Sequence, residues 1–499
     1  MRPLPLTSAR RADNLVNGVY ACGNNHTLNT VLKGYYGFKG FVVSDWGACH
    51  GTEYVAAGMD IEMPDASNLE PGKIKAAIAA GSLTMGMVDE SCHRILRSYF
   101  SVPEDKRVPG PCGGGDCIDK KVKTPAHVAL ARKLSAMSTV LLKNEGGLLP
   151  LSKSALAGKK IVLVGIDATD PYTGGSGSGA VSDHDKVSPL TALKALGLDV
   201  TAVGDTEGTS PSQAAAAAKA ADLAIVFGSA HTGEGHDRDN LNLEGNIDEV
   251  IPAVAAAQKR TIVVLSTPGS ILTSWRDAVP AILYNGLPGE QVGPALADIL
   301  FGVTTPQAKL PITMPKVENE QGFTESQYPG IPCREEGQEE MNGKCTCTNP
   351  ACKAESTYTE GQIVGYRWYD KKKVTPAFAF GHGLTYGNFS FSGLSVTGRT
   401  ISFSVARSSG AATSCETPQV YIGYPSAATD PKVPVKVMRF FKKTCEASAK
   451  LSYTITDQDV SNWDVATKQW KVTPGTYKVY VGASSQDIRL TGSMTVSGE

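Results

Sequence analysis

Two carboxylates sit where a chain of this kind could carry out chemistry. Asp45 ends the apolar run Phe41-Val42-Val43-Ser44-Asp45-Trp46, and Glu234 lies between glycines in Gly233-Glu234-Gly235-His236-Asp237-Arg238. An acidic residue at the carboxyl end of an apolar, parallel-type strand stands where strand ends open into loops, which is where α/β enzymes build their sites. Trp46 follows with a flat indole able to stack on a sugar face. The commoner use of an Asp there is to cap the next helix. Glu234 comes directly after the apolar run Leu223-Ala224-Ile225-Val226-Phe227-Gly228. Its flanking glycines let the backbone turn freely, so the loop can carry the carboxyl over a pocket built elsewhere. The commoner use is a solvated loop glutamate. Asp237 and Arg238 are expected to pair and shape this loop. Two carboxylates on loops of different blocks suit cleavage of a glycosidic bond. One attacks or stabilises the anomeric carbon while the other protonates the leaving oxygen.

Other chemistries are less well supported. Gly174-Gly175-Ser176-Gly177-Ser178-Gly179 resembles a phosphate-cradling loop but lacks the Lys-Ser/Thr ending, and it does not fit the dinucleotide fingerprint. It reads better as a cleft rim, with Ser178 as a candidate substrate contact. No Gly-x-Ser-x-Gly elbow is present, which weakens a serine hydrolase. His50, His231, His236 and His382 do not make a metal-ligand spacing, so no metal site is expected.

The bulk numbers agree with an ordinary globular protein. The 499 residues are 41% hydrophobic and 19% charged, with a formal net charge of -1. No basic stripe stands out, so nucleic acid and acidic lipid are not expected partners. No apolar run approaches the length of a membrane span, and residues 1–11 lack the apolar core of a secretory signal. Yet there are 11 cysteines, including Cys112, Cys117, Cys333, Cys345, Cys347 and Cys352 in close groups. That pattern predicts disulfide-stapled loops and an oxidising, extracellular compartment. The rival zinc reading suffers from the tight Cys345-Thr346-Cys347 spacing and the lack of a neighbouring histidine.

The elements that must hold these residues fall into blocks. In residues 1–108, the strand ending at Asp45 is followed by a helix near Gly51 to Ala57, a short strand near Met59 to Met63 and a helix through Ile95-Leu96. This strand–helix alternation predicts parallel βα units. A Pro/Gly-rich, charged linker follows, and 109–124 is assigned to it. Residues 125–386 open with a helix (Ala126 to Met137) and a strand (Val140 to Asn144). Apolar runs at 160–165, 223–228, 261–265 and 281–284 then alternate with Ala-rich helical segments, a doubly wound α/β pattern. Residues 387–499 alternate apolar and polar side chains, as in Thr400-Ile401-Ser402-Phe403-Ser404-Val405, and predict a β-sandwich.

An ordered set of motifs resembles glycoside hydrolase family 3, in its secreted β-glucosidases of fungal and oomycete type. They include Gly37-Phe38-Lys39-Gly40-Phe41 through Ala48, Ala57-Gly58-Met59-Asp60-Ile61-Glu62-Met63-Pro64 and Val140-Leu141-Leu142-Lys143-Asn144. Leu287-Pro288-Gly289-Glu290, Val364-Gly365-Tyr366-Arg367-Trp368-Tyr369 and Phe380-Gly381-His382-Gly383-Leu384-Thr385-Tyr386 continue the series. The resemblance runs from about Asn14 to the C-terminus.

The resemblance implies the C-terminal remnant of a (β/α)8 barrel, an α/β sandwich domain and a fibronectin type III-like β-sandwich. It places the family nucleophile on Asp45 and the acid/base on Glu234, with Trp46 favouring glucosides over xylosides. The implied activity is a retaining, exo-acting β-glucosidase on cello-oligosaccharides or other small β-glucosides, with no cofactor. For Glu234 to keep its proton near neutral pH, partial burial or a nearby negative charge must raise its pKa. Two departures accompany the resemblance. The family's Ser-Tyr-Asn signature aligns with Ala12-Asp13-Asn14, and only the last two barrel strands are expected. A fragment with weak or no turnover is therefore expected. A β-xylosidase of the same family, or a non-catalytic carbohydrate-binding protein, would leave similar marks. A homodimer is left open.

Overall fold

The computed structural model describes residues 8–11, 14–103, 122–181, 185–204, 208–234, 237–324, 327–328, 339–341, 344–346, 356–428, 430–464 and 466–498. The chain divides into two compact units, Met1–Val122 and Lys123–Glu499. The predicted second and third blocks thus share one unit.

The first unit is built on a three-stranded parallel sheet in the order β1 (Ser8–Arg11), β4 (Phe41–Trp46), β5 (Ile61–Met63). The short antiparallel pair β2 (Leu15–Val16) and β3 (Val19–Tyr20) precedes β4. Two parallel strands were expected, and β1 makes a third. Ser-Ala-Arg-Arg has no β-branched or aromatic residue to announce a strand. Pairing with the edge of β4, Ser8 opposite Phe41 through Arg11 opposite Ser44, supplies what local propensity does not. The π-helical segment His26–Tyr35 leads into β4. Helix α1 (Tyr54–Ala57) links β4 to β5 and ends on Gly58 at φ 108°, a left-handed stop that suits glycine. Then come α2 (Pro71–Ala79) and the amphipathic α3 (Met85–Ser101), whose N-cap Thr84 accepts from the Met87 N–H. A small core of Cys22, Leu28, Val42, Ala48, Cys49, Tyr54 and Met59 sits behind β4.

The second unit opens with α4 (Pro125–Ser138) and β6 (Val140–Asn144). Strands β7 (Lys160–Val164), β8 (Asp199–Val203), β9 (Leu223–Ser229), β10 (Thr261–Ser266) and β11 (Ala281–Tyr284) complete a sheet in the order β6-β11-β10-β9-β7-β8. All pairs are parallel except β6, which runs antiparallel to β11 along one edge. Every residue of β9 and β10 is buried, as expected of a parallel sheet covered on both faces. Alternate side chains divide between two cores. Leu163, Ile225, Val264 and Leu283 face α4, α5 (Pro189–Ala195) and α8 (Val292–Leu300). Val162, Val226, Val263 and Ile282 face α6 (Pro211–Lys219) and α7 (Ile247–Ala257). The period-2 alternation of a strand does this sorting.

After the small hairpin β12 (Glu339–Met341) and β13 (Lys344–Thr346) comes α9 (Tyr366–Lys372). A β-sandwich follows, with one sheet of β14 (Gly387–Thr397), β15 (Thr400–Gly410) and β18 (Ser448–Thr454). The other sheet holds β17 (Val437–Phe441), β16 (Gln419–Gly423), β21 (Gly475–Gly482) and β22 (Ile488–Val496). The hairpin β19 (Ser461–Asp464) with β20 (Gln469–Val472) pairs with neither sheet. Cys415 and Cys445 form a disulfide between the segments flanking β16 and β17. Of the cysteines on which stapled loops were predicted, Cys345 lies in β13, and Cys112, Cys117, Cys333, Cys347 and Cys352, like most of the linker, lie outside the described residues. No described helix is long and apolar enough to cross a membrane.

Two motifs of the sequence analysis turn out to be the joint between the α/β layers and the sandwich. Tyr366 stacks on Phe380, and its hydroxyl accepts the Met438 N–H at 3.0 Å. Asp370 meets the buried ammonium of Lys436 at 2.5 Å. Gln419 Nε2 donates to the carbonyls of Gly381 (3.0 Å) and Ala483 (2.9 Å). His382 lies against the sheet edge, where its Nε2–H donates to the Leu142 carbonyl at 2.8 Å.

Burial holds the His382 pKa below the ordinary histidine range, opposed by the Leu142 hydrogen bond. The unfolded chain therefore binds a proton at this site more readily than the folded one. Stability should fall as pH drops from about 6.5, the unfolded value, towards the depressed folded value. Urea midpoints measured from pH 7.5 down to pH 5 should decline more steeply for the parent than for His382→Gln. Equal slopes would show that His382 does not contribute.

Candidate active site

Asp45 lies at the carboxyl end of β4, half-exposed, and Trp46 beside it is exposed. Asp45 does not cap a helix. Its Oδ1 accepts the Trp46 N–H at 2.8 Å, and the N-cap position of α1 is held by Glu53. The strand end beneath it is firmly tied. The Ser44 hydroxyl, buried, accepts the Met63 N–H at 2.9 Å, and the Gly47 N–H donates to the Met63 carbonyl at 3.0 Å. Asp60 is buried between β4 and α3. It accepts the Val42 N–H at 2.7 Å and meets Lys33 Nζ at 3.1 Å. Desolvation pushes the Asp60 pKa up and the Lys33 pKa down, with the mutual ion pair opposing both shifts. Glu62 accepts the backbone N–H groups of Asn68 and Leu69, each at 2.8 Å to Oε2. The family motif through Asp60 and Glu62 is thus scaffolding that fixes the loop ends around β4.

Glu234 follows β9 in the second unit and is exposed there. Its position is nonetheless defined. Glu234 Oε2 accepts the Ser178 backbone N–H at 2.8 Å, and Ser176 and Gly233 pair as a parallel β-bridge. Ser178, read from sequence as a substrate contact, touches Glu234 through its main chain. Two glycines make this approach feasible. A Cβ on Gly177, which sits at φ +90°, would lie 2.4 Å from Glu234 Cβ, and one on Gly233 would lie 1.7 Å from Ser176 Oγ. The glycine run is a cradle for the Glu234 loop.

The strand end below that loop is braced by residues not singled out from sequence. Asp167 is buried and accepts the Ser229 hydroxyl at 2.6 Å and the Tyr172 N–H at 2.7 Å; its pKa is pushed up by desolvation. The Tyr172 hydroxyl donates to the Thr232 carbonyl at 3.2 Å, and its ring packs edge-on against His231 at 4.0 Å. The His231 backbone N–H and ring both engage Glu244. The available signal was Tyr172 standing just before the glycine run. The expected Asp237–Arg238 pair is not found: the Arg238 guanidinium donates instead to the Ser270 carbonyl at 2.9 Å. Among the described residues no group of three or more His, Cys, Asp or Glu could hold a metal ion.

Gly177→Ala is expected to push Glu234 aside while leaving the buried sheet intact. Misplacing a reacting group by about 1 Å costs on the order of 10²-fold, so kcat on a β-glucoside should fall by about that factor with little change in Tm. Unchanged kcat would show that the cradle does not set Glu234.

Three family models match the chain. The glycosyl hydrolase family 3 N-terminal domain matches residues 12–98 and its C-terminal domain matches 139–386. The fibronectin type III-like domain matches 416–485. A probable beta-glucosidase L of Emericella nidulans is 35% identical over 97% of the chain and 70% of its own length. Beta-glucosidase cel3A of Pyricularia oryzae is 30% identical over 97% and 70%. Among solved structures, beta-glucosidase D2-BGL from Chaetomella raphigera superimposes with a TM-score of 0.81 at 31% identity, covering 99% of the chain and 73% of its own. The beta-D-glucoside glucohydrolase of Trichoderma reesei also gives 0.81, at 29% identity over 98% and 73%.

Proposed function

The chain belongs to glycosyl hydrolase family 3, and from that membership we propose that it removes terminal β-D-glucosyl residues from small β-glucosides with retention of configuration. The observation that carries the reading is a pair of fixed carboxylates, one in each family-matched segment. Asp45 is anchored at a parallel strand end within 12–98, and Glu234 is cradled by the glycine run within 139–386. The similar proteins are beta-glucosidases, which points to glucose as the sugar.

In this reading Asp45 attacks the anomeric carbon and the bond to the leaving oxygen breaks. Glu234 gives its proton to that oxygen, so the aglycone departs as a neutral alcohol and the glucosyl unit is held as an ester on Asp45. Glu234, now ionised, takes a proton from water as the water oxygen displaces Asp45 from the same carbon. Two inversions give net retention. The exposed Trp46 indole supplies a flat apolar wall for the pyranose ring. Ser178 acts on Glu234 through its backbone N–H. The Cys415–Cys445 disulfide supports an oxidising, extracellular setting, and cello-oligosaccharides are the natural substrates to try first.

Proton NMR of the earliest product from an aryl β-glucoside tests the reaction type. The β-anomer of glucose appearing first supports the proposal, and the α-anomer first rules out double displacement.

A further inference from the structure

The cradle around Glu234 has two walls, the glycine run at 174–179 and the loop at 232–234. Main-chain contacts join them. Ser176 and Gly233 form the β-bridge, the Glu234 N–H donates to the Ser176 carbonyl at 3.5 Å, and the Ser178 N–H donates to Glu234 Oε2 at 2.8 Å. Four glycines among six residues leave the first wall free to take many backbone conformations. Contacts between two such walls do not by themselves fix where the pair stands on the sheet.

Tyr172 ties both walls to the sheet. Its foot is anchored in the buried layer below. The Tyr172 N–H donates to Asp167 Oδ1 at 2.7 Å, and Asp167 Oδ2 accepts the Ser229 hydroxyl at the end of β9 at 2.6 Å. The next carbonyl, that of Thr173, accepts the Gly289 N–H at 2.9 Å. From this foot the phenol reaches across to the second wall. Its hydroxyl donates to the Thr232 carbonyl at 3.2 Å and accepts the Thr232 N–H at 3.4 Å. The ring packs edge-on against His231, which Glu244 holds through both main chain and ring. Thr232 is separated from Glu234 only by Gly233, the residue of the bridge. The contacts thus run without a gap from the buried Asp167 to the backbone that carries the Glu234 carboxyl.

We propose that Tyr172 is a positioning residue for the proton transfers of Glu234. Its hydroxyl engages both polar groups of the Thr232 main chain and so sets where the Glu234 carboxyl stands, while taking no part in bond making. The inference rests on the reading of Glu234 as the acid/base. Phenylalanine in its place keeps the ring against His231 and releases Thr232.

Tyr172→Phe in the full chain, alone and combined with Glu234→Gln, tests this in two ways. Amide exchange followed by mass spectrometry should speed up about fivefold in peptides covering 174–181 and 230–234, the effect of one lost hydrogen bond. Exchange in β7 and β10 should stay at the parent's rate. On phenyl β-glucoside, whose leaving group needs a proton, kcat/KM should fall about tenfold, less than the roughly 10²-fold of a full 1 Å displacement. On a dinitrophenyl β-glucoside it should stay at the parent's value, because departure there needs no acid. In the Glu234→Gln background Tyr172→Phe should cost nothing further on either substrate, since a residue acting through Glu234 has nothing left to position. Parental exchange in both peptides, equal losses on the two substrates, or losses that add to those of Glu234→Gln would each overturn the proposal. A chain that turns over neither substrate, or a Glu234→Gln variant as fast as the parent on phenyl β-glucoside, would overturn the acid/base reading and the proposal with it, whatever the exchange shows.

Discussion

Asp45→Asn is expected to lower kcat on an aryl β-glucoside by at least about 10⁴-fold, because removing a covalent nucleophile leaves only binding and electrostatic stabilisation. The substitution keeps the size of the side chain and removes its charge. Asp45 is half-exposed at the end of β4, and the isosteric amide keeps an oxygen able to accept the Trp46 N–H, so the folded state should be little disturbed. A melting temperature close to the parent's, together with the lost turnover, separates chemistry from stability. Turnover within tenfold of the parent would remove Asp45 from the reaction.

Glu234→Gln should produce a different signature. General acid assistance contributes about 10²–10⁴-fold, and its value grows as the leaving group becomes worse. The variant should therefore lose most of its rate on an alkyl β-glucoside and much less on a dinitrophenyl glucoside, whose departure needs no proton. An added small anion such as azide should restore turnover of the activated substrate by attacking the glucosyl ester on Asp45. This yields a glucosyl azide of retained configuration. A uniform loss on both substrates without azide rescue would place Glu234 outside the proton-transfer role. The glutamine keeps an oxygen able to accept the Ser178 N–H, so the cradle should survive.

Much of this was legible in the sequence, and the exceptions have physical reasons. Runs such as Leu223 to Gly228 announced themselves because a strand buried on both faces needs apolar side chains at nearly every position. Asp45 was readable because charge interrupts such a run where the strand leaves the core. Strand β1 was not readable, since its order comes from the edge of β4 rather than from its own residues. The direction of β6 was likewise hidden, because parallel and antiparallel partners bury the same side chains. The glycine run reads as a cleft rim rather than a phosphate loop, but its purpose was not legible. Its composition fits a phosphate loop, and only the placement of Gly177 against Glu234 Cβ reveals a cradle. Motifs around Tyr366 and His382 marked the family, yet their contacts belong to the joint between layers. The motif residues stand far apart in sequence from their partners Met438 and Leu142, so no local pattern could have shown this.

The account rests most heavily on Asp45 as the atom donor to a glucosyl ester, and trapping that ester tests it most directly. A 2-deoxy-2-fluoro-β-glucoside with a good leaving group slows both steps and lets the intermediate accumulate. Peptide mapping by mass spectrometry should then find one fluoroglucosyl group, carried on Asp45, in the parent chain and none in Asp45→Asn. A label on another carboxylate, or turnover of aryl β-glucosides with no label on Asp45, would contradict the account.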